Sequence, residues 1–181
     1  PAAMAEPLAD IEPVSITEER FVTMVDVRAS GPGLAVAADV LAVALPTTAG
    51  TYADYDGTAA IWLGPDEWLV TTTSRTGEEL ESQLRDVLGP HGGAAVDVSG
   101  QRTTLRLSGS RVCDVLAKGC SLDLHPSVFG AGSAAQTMLG QAGIVLLACD
   151  GTGTDYRILV RTSFARYLTA WLNDAAAEYV S

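Results

Sequence analysis

Apolar positions recur along this chain with two periods, every second residue in some stretches and every third or fourth in others, which separates strands from helices. Phe21 to Arg28 (FVTMVDVR) alternates apolar and polar residues and predicts a half-buried strand. Ser30-Gly31-Pro32-Gly33 breaks the alternation, and the Ala/Val/Leu run from Leu34 to Leu45 predicts a helix stopped by Pro46. Ala59 to Leu63 and Glu67 to Thr73 flank Gly64-Pro65-Asp66, whose turn chemistry predicts a hairpin. Thr76 opens a clear helix. It forms a capping box with Glu79, glutamates crowd the first turn, and Leu80, Leu84, Val87 and Leu88 share one face before Gly89-Pro90.

The second half follows the same plan. Ala94 to Val98 and Thr103 to Leu107 read as strands, and Ser110 stands where it would cap a short helix carrying Val112, Val115 and Leu116, closed by Gly119. Ala134 to Leu139, Ile144 to Cys149 and Tyr156 to Arg161 read as three more strands. Ser163 is the expected cap of the last helix, whose apolar face carries Phe164, Tyr167, Leu168, Trp171, Leu172, Ala175 and Tyr179. Each half thus runs strand, helix, β-meander, helix. The predicted class is α+β, with two pseudo-repeated lobes of largely antiparallel sheet and helices packed against them. Residues 1–18, rich in Pro, Ala and Glu without periodicity, read as a flexible arm. Residues 19–181 read as a single two-lobed domain, with lobes of about 19–92 and 93–181.

Composition sharpens this picture. Hydrophobic residues make up 48% and charged residues 18%, a balance that fills a core and excludes disorder. A mean hydropathy of +0.22 points to a large core or to apolar surface covered by a partner. The 22 acidic and 11 basic side chains give a formal net charge of −11, which repels phosphate backbones and anionic lipid and so argues against nucleic acid and membrane partners. Cys113, Cys120 and Cys149 match no zinc or redox spacing and form no disulfide framework, so a cytoplasmic location is expected.

The polar candidates along the chain read as turn and cap residues rather than a catalytic constellation. His91 lies between Pro90 and Gly92, and His125 precedes Pro126; neither has a second histidine or a cysteine at ligand spacing. Ser108-Gly109-Ser110 joins a strand to a helix, where an N-cap accounts for the serines. Gly151-Thr152-Gly153 resembles a piece of a dinucleotide loop but joins strand to strand. Glu78-Glu79 fit helix-dipole placement, and Asp54 and Asp56 fit a turn. Trp62 and Trp68 flank the Gly64-Pro65-Asp66 turn, which suits either strand aromatics in the core or an anchor for a subunit contact.

Ile61 to Val70 (IWLGPDEWLV), Asp97 to Gly109 (DVSGQRTTLRLSG), Arg111 to Pro126 (RVCDVLAKGCSLDLHP) and Tyr156 to Leu172 (YRILVRTSFARYLTAWL) together resemble the gamma subunit of heterotetrameric sarcosine oxidases. The likeness runs from about Val27 to the C-terminus, and the L-G-P-D-E-W-L and D-V-S-G-Q-R runs carry most of it. The resemblance implies a fold like the folate-binding domain of glycine-cleavage aminomethyltransferases. It also implies a complex with alpha, beta and delta chains. That complex oxidatively demethylates sarcosine to glycine with hydrogen peroxide and formaldehyde or methylene-tetrahydrofolate as products. FAD, FMN, NAD and tetrahydrofolate belong to the complex on this reading, and this chain, expected to be non-catalytic, holds none of them.

The resemblance also raises a rival, a folate-binding module. The aminomethyltransferase folate motif runs roughly T-G-E-x-G-Y-E-I, and the matching stretch here is Thr152-Gly153-Thr154-Asp155-Tyr156-Arg157-Ile158. Thr154 stands at the first acidic position and Arg157 at the second, while Asp155 is one residue out of register and so on the other strand face. An independent aminomethyltransferase is the weakest expectation, since the chain lacks the length for that enzyme's further barrel. Asp97, Ser99, Gln101, Arg102 and His125, polar residues inside the most distinctive stretches, are the candidate subunit-interface residues, with turn and cap work as the plainer explanation of each.

Overall fold

The structure, a computed structural model, describes residues 13–179. In chain order the elements are β1 (Ser15–Glu19), β2 (Thr23–Arg28), α1 (Gly33–Leu41), β3 (Tyr52–Tyr55), β4 (Thr58–Gly64), β5 (Glu67–Thr72) and α2 (Gly77–Leu88). They continue with β6 (Ala94–Asp97), β7 (Arg102–Ser108), α3 (Val112–Ala117), β8 (Ala134–Leu139), β9 (Ala142–Ala148), β10 (Asp155–Arg161) and α4 (Thr162–Ala176). A 3₁₀ turn at Gly89–His91 follows α2.

The strands form two five-stranded sheets with the same internal order. The first runs β3-β4-β5-β2-β6 and the second β8-β9-β10-β7-β1, with every pairing antiparallel. The duplicated plan is therefore present, and each lead strand is exchanged: β1 edges the sheet of the second repeat and β6 edges the sheet of the first. The expected arm of residues 1–18 is shorter than the sequence suggested, because residues 15–19 pair with β7. Its residues 1–12 lie outside the described residues. The expected boundary between residues 92 and 93 likewise does not separate the sheets. β6 and β1 give up intra-lobe pairing because each finds an unpaired ladder on the other repeat, at β2 and β7.

The sheets lie face to face, with helices on both outer surfaces, in a four-layer arrangement. Val25, Val27, Trp68 and Val70 pack against α1 and α2 through Ala37, Leu41, Leu80, Leu84 and Leu88. Leu105, Leu107, Ile158 and Val160 pack against α3 and α4 through Val112, Val115, Leu116, Leu168 and Leu172. Met24, Ile61 and Leu69 of the first sheet meet Val145, Leu147 and Leu159 of the second. Strands β5 and β10 are thus apolar on both faces, which is why their sequences read as runs rather than clean alternations. At the β3 and β8 edges an isolated antiparallel bridge between Thr51 and Ser133 joins the two sheets.

Local expectations held in part. The Thr76–Glu79 capping box is complete: the Glu79 amide donates to Thr76 Oγ1 (3.3 Å) and the Thr76 amide donates to Glu79 Oε2 (3.0 Å). Helix α1 stops at Leu41, earlier than Pro46, because Ala42 turns left-handed (φ 56°) and sends Val43 and Leu45 back into the core. Neither expected serine cap forms. Arg111 precedes α3 and Arg161 precedes α4, both without a side-chain cap, and the amide of Thr162 instead donates to the Gln101 carbonyl (2.9 Å). Trp68 is a core residue with its indole N–H on the Pro46 carbonyl (2.8 Å), and Trp62 lies directly opposite it on the same face. No helix among the described residues is long and apolar enough to cross a membrane.

Candidate functional site

Two connections cross from one sheet to the other side by side. One is Arg20–Val22, between β1 and β2; the other is the turn 98–101, between β6 and β7. They are tied together: the Val98 amide donates to the Met24 carbonyl (2.8 Å), and the Met24 amide donates to Ser99 Oγ (2.9 Å). Asp97 holds the turn by accepting from the Ser99 amide (2.9 Å) and the Ser99 hydroxyl (2.5 Å). Its own amide donates to Glu81 of α2 (3.1 Å).

Four of the five candidate interface residues therefore gather on one crossover. Asp97 and Ser99 build it, the Gln101 amide closes it on the Val98 carbonyl (2.9 Å), and Arg102 begins β7 beside it. Arg102 is half-buried; burial lowers its pKa from the ordinary arginine value and the neighbouring Arg161 lowers it further, against the pull of Asp26. His125 lies apart, on the loop between α3 and β8. Its amide donates to Asp123 Oδ1 (3.0 Å), and its Nδ1 shares a hydrogen bond with the Ser127 hydroxyl (2.7 Å). Those contacts are turn work.

Sequence reasoning did not single out the feature that most marks this face. Phe21 is 95% exposed and sits at φ 61°, a backbone region that disfavours side chains larger than glycine. It stands on the first crossover at the rim of a shallow cleft shared with Arg75, Thr76, Gly77, Asp97, Ser99 and Gly100. The alternation that suggested a strand from Phe21 hid it; the strand begins at Thr23, and no signal in the sequence distinguishes an outward phenylalanine from a core one.

A second region lies between the sheets at the end of β1. A cavity of about 330 Å³ is lined by Glu19, Arg20, Asp54, Thr58, Thr72, Thr104 and Arg157 among others. Glu19 accepts from Arg157 Nε (2.6 Å) and Nη2 (2.9 Å) in a fork-to-fork pair. Burial opposes the Arg157 charge, but the Glu19 hydrogen bonds and charge outweigh it and keep its pKa above the ordinary arginine value. Asp155, on the same strand face, is held by Arg106 Nη2 (2.6 Å) and Nε (3.0 Å). At the stretch compared with the folate motif, then, Arg157 and Asp155 are both ion-paired, and the Thr154 hydroxyl donates to Asp150 (2.5 Å).

Other sequence candidates serve structure. The Gly151-Thr152-Gly153 loop wraps the Asp150 carboxylate, which accepts from the Thr152 and Thr154 hydroxyls and from the Gly153 amide. His91 ends an exposed 3₁₀ turn. Cys120 is buried, and the Cys113 thiol contacts the Gly153 carbonyl (3.2 Å) and the Tyr156 hydroxyl (3.2 Å). Burial pushes the Cys149 thiol above its ordinary pKa, away from nucleophilic chemistry.

A pseudo-duplicated, strand-exchanged α+β domain of this kind defines a class, and solved structures share it. Over 90% of this chain the fold matches 46% of the glycine cleavage system aminomethyltransferase T from Bartonella henselae, with a TM-score of 0.64 at 12% identity, a likeness of fold alone. The match to heterotetrameric sarcosine oxidase from Corynebacterium sp. U-96 covers 96% of this chain and 89% of that one, with a TM-score of 0.86 at 35% identity. Sarcosine oxidase subunit gamma of Corynebacterium sp. strain P-1 is 39% identical over 171 residues, 93% of this chain and 82% of that protein. Residues 27–178 match the family described as sarcosine oxidase, gamma subunit family. The chain belongs to that family.

Proposed function

We propose that this chain is a non-catalytic subunit of a cytoplasmic sarcosine oxidase complex, docked on its partner subunits through the double-crossover face around Phe21. Membership of the gamma subunit family supports a place in such a complex, and the heterotetrameric state of the Corynebacterium enzyme supports alpha, beta and delta chains as partners. The reaction is the oxidative demethylation of sarcosine to glycine, yielding hydrogen peroxide and formaldehyde or methylene-tetrahydrofolate. FAD, FMN, NAD and tetrahydrofolate sit in the other chains on this reading.

Phe21 carries the interface part of the proposal. An aromatic side chain 95% exposed and held in a strained backbone conformation stabilises nothing in the chain that bears it, whereas a buried aromatic anchor contributes strongly at interfaces. Asp97 and Ser99 keep that anchor in place by tying the two crossovers together.

The test is co-expression with the flavoprotein chains. Phe21→Ser is expected to weaken assembly at least tenfold in a pull-down titration, while the thermal stability of the isolated chain stays level or rises. Assembly of the variant at wild-type strength would overturn the docking face. An isolated chain that is yellow, or that oxidises sarcosine unaided, would overturn the non-catalytic reading. The folate module is the weaker alternative, because Arg157 and Asp155 are engaged by Glu19 and Arg106. Calorimetry with a reduced folate decides it, and a 1:1 isotherm at micromolar affinity would favour the folate reading.

A further inference from the structure

The apolar contact between the sheets, built from Met24, Ile61, Leu69, Val145, Leu147 and Leu159, gives way to hydroxyls and charges where β1 ends. We infer that the cleft opened there is a binding site for a small zwitterion of the α-amino-acid class. Thr104 lies at its inner wall. In register it stands between Glu19 of β1 and Leu159 of β10, so its side chain shares the face that looks across to the first sheet. Thr104 is 2% exposed, and its Oγ1 is the one buried side-chain nitrogen or oxygen atom without a hydrogen-bond partner among the described residues. Buried hydroxyls are satisfied in the great majority of cases, so this one marks a place where something else bonds to it.

The opposite wall carries Thr71 of β5, which shares with Leu69 the face that looks across to the second sheet. The rim holds charges of both signs. Arg157 spends Nε and Nη2 on Glu19 and keeps Nη1 for another acceptor. Arg20 has only a loose contact with Glu18 (3.7 Å), and the Asp54 carboxylate has no ion pair or hydrogen bond among the described residues. A plain anion placed here would meet Glu19 and Asp54, and a plain cation would meet Arg20 and Arg157. A molecule that carries an ammonium beside a carboxylate answers both. The cavity, about 330 Å³, is at the small end of ligand pockets, which run from about 300 to 1,000 Å³. It admits a single amino acid rather than a nucleotide or a pterin with its tail.

Glycine, L-alanine, L-serine and L-glutamate, each titrated into the full chain, provide the test, read by thermal unfolding and calorimetry. At least one is expected to raise the melting temperature saturably, while acetate and methylamine at the same ionic strength do not. Thr104→Val keeps the shape and removes the orphan hydroxyl; it is expected to fold with an equal or higher melting temperature and to bind the amino acid at least tenfold more weakly. Asp54→Asn, on an exposed strand end, is expected to weaken binding to a similar extent without changing the unligated stability. No response to any amino acid would overturn the inference, as would a response to acetate equal to that of the zwitterion. So would a Thr104→Val chain that is less stable, or that binds as the unaltered chain does. None of these outcomes bears on the Phe21 docking face, because Phe21 does not line this cavity.

Discussion

Asp150 shows how much one side chain can organise. Burial pushes its carboxyl up, yet hydrogen bonds from the Thr152 and Thr154 hydroxyls and from the Thr154 and Gly153 amides overcome that and hold it at about 2. A folded-state pKa below the unfolded value near 4 means that the ionised carboxylate stabilises the fold above about pH 4, and that this contribution is lost as pH falls from about 4 through about 2. Asp150→Asn is expected to lower the urea midpoint at pH 7 and to flatten its fall between about pH 4 and pH 2, as measured by urea titration across that range. Equal acid slopes for the two proteins would remove Asp150 from the account. The glycine pair in this loop was legible as a turn; the carboxylate nest was not, because it depends on five donors converging after the hairpin closes.

At the scale of elements, close approaches decide which substitutions matter. Gly93 leads into β6, and a Cβ there would lie 2.6 Å from the Arg28 carbonyl oxygen, which is backbone and cannot swing away. Gly93→Ala is therefore expected to destabilise the chain by about 1–3 kcal/mol, with the strand pair β2 and β6 losing hydrogen-exchange protection first. A change under about 0.5 kcal/mol by denaturant unfolding would show that the approach relaxes freely. Helix α2 was readable to its cap because capping, dipole placement and the Leu80, Leu84, Leu88 face are all local patterns. The caps of α3 and α4 were not, because Arg111 and Thr162 take their backbone partners from Pro13 and Gln101, distant in sequence.

Over the whole molecule, the exchanged edge strands turn two repeats into one cooperative unit. Chains of residues 1–92 and 93–181, each lacking one strand of its sheet, are expected to be largely unfolded alone and to regain native circular dichroism when mixed. Two halves that each unfold cooperatively in isolation would contradict this. The exchange also sets both crossovers side by side, which is what places Phe21 at the same cleft as Asp97 and Ser99.

The four helices, most of the strands, the duplicated order and the turn at Gly64-Pro65-Asp66 were determined by the sequence itself, since period, capping and turn chemistry act over a few residues, whereas the edge strands β1 and β3 carried no such mark. The distinctive runs around Asp97 to Gln101 share their crossover face with Phe21, which no local pattern singled out. Tertiary structure alone decided which sheet each lead strand joins, that Trp68 faces inward while Phe21 faces outward, and that the Thr104 hydroxyl ends in the cavity lined by Glu19 and Arg157 without a hydrogen-bond partner among the described residues. The physical reason is common to all three. β-pairing and burial are settled between residues far apart in the chain, and a strand carries no local mark of which neighbour will claim its free edge.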